Sequence, residues 1–90
     1  MRTGKFSIAA EAFEDAERLY TAQLGRFHPR VSEAIAYRAW CYAKSGRAFD
    51  AVGLYETAIQ LDLKRQDVSA ERIQQLHEQL NWARDRASHD

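Results

Sequence analysis

A chain of 90 residues has room for one domain, spanning 1–90. Its 13 Lys and Arg balance its 13 Asp and Glu, which excludes the net basic field of a dedicated nucleic-acid binder and the polybasic patch of a membrane anchor. The opening apolar run stops at Glu11, no stretch approaches the roughly 20 apolar residues of a membrane span, and the lone Cys41 suits a reducing compartment. The expectation is a soluble, cytoplasmic chain.

Four antiparallel helices are readable, which makes the fold class all-α. Helix formers dominate, the breakers are Gly4, Gly25, Gly46, Gly53 and Pro29, and no period-2 run reads as a strand. The first helix runs from about Ser7 to Leu24, with Gly25 as its C-cap. Pro29 enforces a break at His28, because proline disfavours helix in the residue before it. The second runs from about Arg30 to Lys44 and stops at Gly46. The third runs from about Ala48 to Leu63. Asp67 or Ser69 caps the fourth, about Val68 to Ala87, since either side chain can accept a free first-turn amide. The tail Ser88-His89-Asp90 is expected to fray.

An internal repeat relates the two halves. One offset of 42 residues carries Gly4 to Gly46, Ala9 to Ala51, Phe13 to Tyr55, Ala16 to Ala58, Val31 to Ile73 and Trp40 to Trp82. At about 100° per residue, Ala9, Phe13 and Ala16 fall within about 60° on one helix face. Small residues around one ring let a neighbouring backbone come close while the ring fills the gap.

This small-x3-aromatic-x2-small run after a glycine turn resembles the second helix of a tetratricopeptide repeat. Ile35, Arg38, Ala39 and Tyr42 occupy the four places of the W-x2-L-G-x2-Y pattern of its first helix, and Asp62-Leu63 stands where Asp-Pro is common. The segment from Leu24 to Val31 is similar to the joint of the 42-residue, kinesin-light-chain variety. The resemblance implies stacked helical hairpins, a right-handed α-solenoid fragment that holds another polypeptide. Two departures stand out. Arg38 sits where the family prefers leucine, and Ala36-Tyr37 stands where the kinesin-light-chain type carries paired asparagines. Ala36 and Trp40 stand where a carboxylate clamp has its lysine and asparagine, so that clamp is not expected. The chain opens on a second-type helix and closes on a first-type one. The first helix is therefore expected to bury a face against a second copy or a further segment.

The candidate site follows from helix wheels. Trp40 lies about 130° from the packed face of Ile35, Ala39 and Tyr42, with Glu33, Ala36 and Lys44 on the same flank. Trp82 lies opposite the apolar stripe Ile73, Leu76, Leu80, Ala83 and Ala87, near Gln75, Glu78 and Gln79. The expectation is a groove with two stacked tryptophans, lined by Glu33, Ala36, Tyr37, Trp40, Lys44, Gln75, Glu78, Trp82 and Arg86, that binds a peptide or helix of a partner. The alternative is a self-associating element, a homodimer through the unpaired end helices. Arg38 is expected to pack its stem and send its head to water, the alternative being a buried charge that needs a carboxylate partner; Cys41 is expected to fill space as a small apolar residue, and Glu11, Glu14, Asp15 and Glu17 to form a solvated flank. His77-Glu78 opens like a zinc-protease motif, but Asn81 stands where the second histidine belongs, and His28, His77 and His89 lack ligand spacing. No cofactor, metal or catalytic residue is expected.

Overall fold

The computed structural model describes residues 2–89, with side-chain surroundings for 4–89. It is all-helical: α1 (Arg2–Leu24), α2 (Pro29–Lys44), α3 (Ala48–Leu63) and α4 (Ala70–His89). The chemistry of the ends explains the boundaries. Gly25 takes φ 90 and donates its amide to Thr21 O at 3.1 Å. His28 then caps α2, its Nδ1 accepting from the Arg30 amide at 3.1 Å, and Pro29 supplies a preset φ where an amide would be orphaned anyway. At the end of α2 Gly46 takes φ 87 and the Arg47 amide reaches back to Tyr42 O at 2.8 Å. That closes a Schellman turn, which a residue with a Cβ would strain.

Three expected boundaries are corrected. α1 begins at Arg2, not Ser7: Gly4 does not break it, and Phe6 in its second turn packs against Trp40, which holds the early residues down. α4 begins at Ala70, not Val68, because Ser69 is the cap, its Oγ accepting from the Arg72 amide at 3.1 Å. The helix runs on through His89 rather than ending at Ala87, with Ser88 Oγ donating to Arg84 O at 3.0 Å; Asp90 lies outside the described residues.

Each helix packs on the next. α1 lies on α2, α2 on α3 and α3 on α4; α2 also touches α4, while among the described residues α1 touches neither α3 nor α4. The body is a slab of 38 × 25 × 16 Å. Its core runs between α2, α3 and α4 and is built largely of small residues: Ala39, Ala43, Ala51, Ala58 and Ala83 around Ile35, Tyr55, Leu76 and Leu80. Alanine at these places brings helix axes close, and each fully buried larger side chain such as Leu76 contributes about 1.5–3 kcal/mol.

One polar knot crosses this core. Asp62 of α3 is fully buried. It accepts from Ser32 Oγ of α2 at 2.6 Å, from Arg65 Nη1 at 2.7 Å and from Arg72 Nε of α4 at 3.4 Å. A buried carboxylate survives only with such partners.

Candidate binding groove

The exposed side of α2 forms the floor of a hollow of about 420 Å³ closed on one side by α4. Glu33, Ala36, Tyr37 and Trp40 line it from α2, and Arg72, Gln75 and Gln79 from α4. Tyr37 is 56% exposed and Trp40 42%. Both rings are nonetheless held from behind by α1. Phe13 stacks on Tyr37 at 5.3 Å between centroids, and Phe6 meets Trp40 edge-on at 5.5 Å. Two aromatic surfaces therefore face the hollow in fixed positions, at little further cost in side-chain entropy.

The polar groups opposite are suited to backbone and carboxylate chemistry. Gln75 and Gln79 are exposed amides, each able to donate and accept. Arg72 is tied to Asp62 through Nε, and its Nη2 is buried without a partner. Glu33 has Arg30 Nη1 at 4.0 Å.

Of the nine residues expected here, the structure brings Glu33, Ala36, Tyr37, Trp40 and Gln75 to the hollow. Lys44, Trp82 and Arg86 sit at one end of it instead. The two tryptophans are not stacked on one another. The Lys44 ammonium lies 5.7 Å from both ring centroids and the Arg86 guanidinium 5.3 Å from that of Trp82, so a cation bridges the rings. Arg86 also donates through Nε to Ala43 O at 3.2 Å, pinning α4 to the end of α2. Trp82 is half-buried and packs on the core. Glu78 faces elsewhere, lining a shallow strip with Glu71, Gln74 and Gln75. Arg72 and Gln79 were missed. Their spacing with Gln75 (positions 72, 75 and 79) was the available signal, since it places all three on one helix face.

Arg38 also corrects the expectation. Its side chain is only 14% exposed, with Nη1 3.0 Å from Glu17 Oε1 and 3.5 Å from Glu14 Oε2. The guanidinium is thus a mostly buried charge that joins α2 to α1, and Glu14 and Glu17 are its partners rather than a free solvated flank. Cys41 is buried as expected, and desolvation pushes its thiol above the ordinary range. Among the described residues no group of His, Cys, Asp and Glu is arranged to hold a metal ion, and no helix is long and apolar enough to cross a membrane.

A wider hollow of about 600 Å³ lies between α3 and α4, lined by Phe49, Val52, Gly53, Glu56, Arg84, Ala87 and Ser88. Its charges already satisfy each other, Arg84 Nη2 lying 3.2 Å from Glu56 Oε2. The α2–α4 hollow keeps unsatisfied polar groups beside its exposed rings, and is the better candidate. Comparison with family models, with curated proteins and with solved structures finds no match to this chain.

Proposed function

We propose that this chain is a tetratricopeptide-like interaction module of the cytoplasm that holds a peptide or helix of a partner protein in the groove between α2 and α4. The observation that carries the reading is the pairing of exposed, braced aromatics (Tyr37, Trp40) with free amides and a guanidinium across one hollow. Rings supply apolar contact; Gln75, Gln79 and Arg72 suit the carbonyls and carboxylates of a polypeptide. The buried Cys41 suits the reducing compartment.

The 42-residue offset supports the stacked-hairpin class. Ala51, Tyr55 and Ala58 of α3, the counterparts of Ala9, Phe13 and Ala16 of α1, are buried as one stripe, the use of a small-aromatic-small face that the class implies. Self-association is the second reading, favoured by Ile8 and Leu19, both exposed on α1.

Affinity capture from the source cell tests the groove. Trp40→Ala is expected to weaken partner retention by about 30-fold or more, the loss of one hot-spot aromatic worth about 2 kcal/mol, with the helical circular-dichroism signal unchanged. Undiminished capture by this variant would remove Trp40 from the site.

A further inference from the structure

The two ends of the helix stack differ in chemistry. On α3 the stripe Ala51, Tyr55, Ala58 and Asp62 is wholly buried. It faces α2: Asp62 accepts from Ser32 there, and the other three lie within about 40° of Asp62 on the helix wheel. Forty-two residues earlier, α1 carries Ala9, Phe13, Ala16 and Tyr20, and all four are only half-buried. Phe13, Ala16 and Tyr20 instead line an open hollow of about 140 Å³ with Arg30, Glu33, Ala34 and Tyr37. At the other end the pattern inverts. The face that α2 turns to α3, Ser32, Ile35, Ala36, Ala39 and Ala43, is buried. Its counterparts on α4 are Gln74, His77, Glu78, Asn81 and Asp85, all polar and exposed. A polar outer helix closes a helical stack, whereas among the described residues this face of α1 meets only the edge of α2, where Phe13 stacks on Tyr37, and stays half-open.

We infer that the Phe13-Ala16-Tyr20 face of α1, with Tyr37 of α2, seats one amphipathic helix of another protein whose packing face copies that of α2. The occupant is defined by the molecule's own template. The helix that covers this stripe on α3 presents Ile35, Ala39 and Ala43, so the occupant carries a branched apolar residue followed by small residues at every fourth place. Charge complementarity adds one more feature. Arg72 of α4 finds Asp62 on α3; its counterpart Arg30 of α2 faces α1, where Tyr20 stands in place of that carboxylate. Arg30 has only Glu33, at 4.0 Å. An acidic residue on the occupant, three places before its branched apolar residue, supplies the missing partner. A second copy offers no such helix from α2, whose face is buried on α3, or from α4, which is polar at those places; pairing of two α1 faces is the competing arrangement that the test separates. The inference goes beyond the groove reading: the two hollows share Glu33 and Tyr37 of α2, but the seat is closed by α1 and the groove by α4.

The full chain is titrated with a labelled peptide of residues 29–44, held helical by a crosslink between its exposed positions 33 and 37, and followed by fluorescence anisotropy. Saturable binding is expected, with affinity lowered at least tenfold by Ala16→Arg in the full chain and unaltered by Gln79→Ala in the groove. Ala16 is half-buried beside α2, so Ala16→Gln serves as the milder, uncharged variant, with circular dichroism as the folding check on both. Ser32→Asp in the peptide is expected to tighten binding about threefold, and Ser32→Lys to weaken it, the usual range of an exposed ion pair. A crosslinked peptide of residues 70–89, the polar counterpart, is expected not to bind. Absence of binding by the 29–44 peptide, equal binding by both peptides, or binding indifferent to both Ala16 variants overturns the proposal. So does a dimer of the chain alone that Ala16→Arg dissolves, because the occupant would then be a second copy. Loss of binding in Gln79→Ala with Ala16→Arg unaffected places the helix in the groove instead.

Discussion

Tyr55 brings a hydroxyl into a fully buried place where its oxygen has no hydrogen-bond partner. Burial, with nearby Cys41 contributing, pushes its pKa up to about 12. An unfolded tyrosine ionises near 10, so the folded state holds the proton more tightly. The stability this contributes is complete below about pH 10 and is lost as pH rises towards about 12, amounting to about 3 kcal/mol. Tyr55→Phe cannot ionise. At neutral pH the variant is expected to match or exceed wild type by about 1 kcal/mol, since an unpaired buried hydroxyl costs about that much. Between pH 9 and 12 the gap should widen in favour of phenylalanine by about 2 kcal/mol. Urea denaturation at both pH values measures it, and parallel pH profiles would show that the hydroxyl is hydrated in the folded chain.

Between elements, the buried Asp62 links three helices through Ser32, Arg65 and Arg72. Removing the carboxylate leaves two guanidinium groups facing a hole. Asp62→Ala is expected to cost about 3–5 kcal/mol, measured as a fall in the urea midpoint, with Ser32→Ala costing about 1 kcal/mol for one lost hydrogen bond. A loss under about 1 kcal/mol for Asp62→Ala would mean that water replaces the carboxylate. This knot was not legible in the sequence. Asp62 reads there as a residue near a helix end, and its partners Ser32 and Arg72 stand 30 and 10 residues away. Arg38 failed for the same reason: a wheel shows which face a residue occupies, not that Glu14 and Glu17 of another helix meet it. The helices themselves were legible, because Gly25, Pro29 and Gly46 punctuate them and the apolar period is local. The groove was half legible. Wheel angles put Trp40 on its open side, but they could not show that α4 turns Glu78 away or that Lys44 separates the two tryptophan rings.

Over the whole molecule, stability should not be uniform. α1 is the longest helix yet among the described residues packs on α2 alone, whereas α2 and α3 are each covered on two sides. Its hold on α2 includes the buried Ala10, the Phe6–Trp40 and Phe13–Tyr37 ring pairs and the Arg38 bridge to Glu14 and Glu17. When contacts run only between neighbours, an end helix can detach without dissolving the rest. Native-state hydrogen exchange should therefore divide the chain. Amides of α2 and α3 are expected to exchange through global unfolding, and those of α1 through an opening at least about 2 kcal/mol less costly. Glu17→Gln should lower the α1 opening energy further while leaving α3 unchanged, because it weakens only the α1–α2 ion pair. The groove depends on this joint, since α1 braces the rings of Tyr37 and Trp40 from behind. A chain whose α1 opens easily would lose the fixed aromatics before it loses its core. Equal protection in all four helices would instead make the domain one cooperative unit, and the neighbour-only account of its stability would fail.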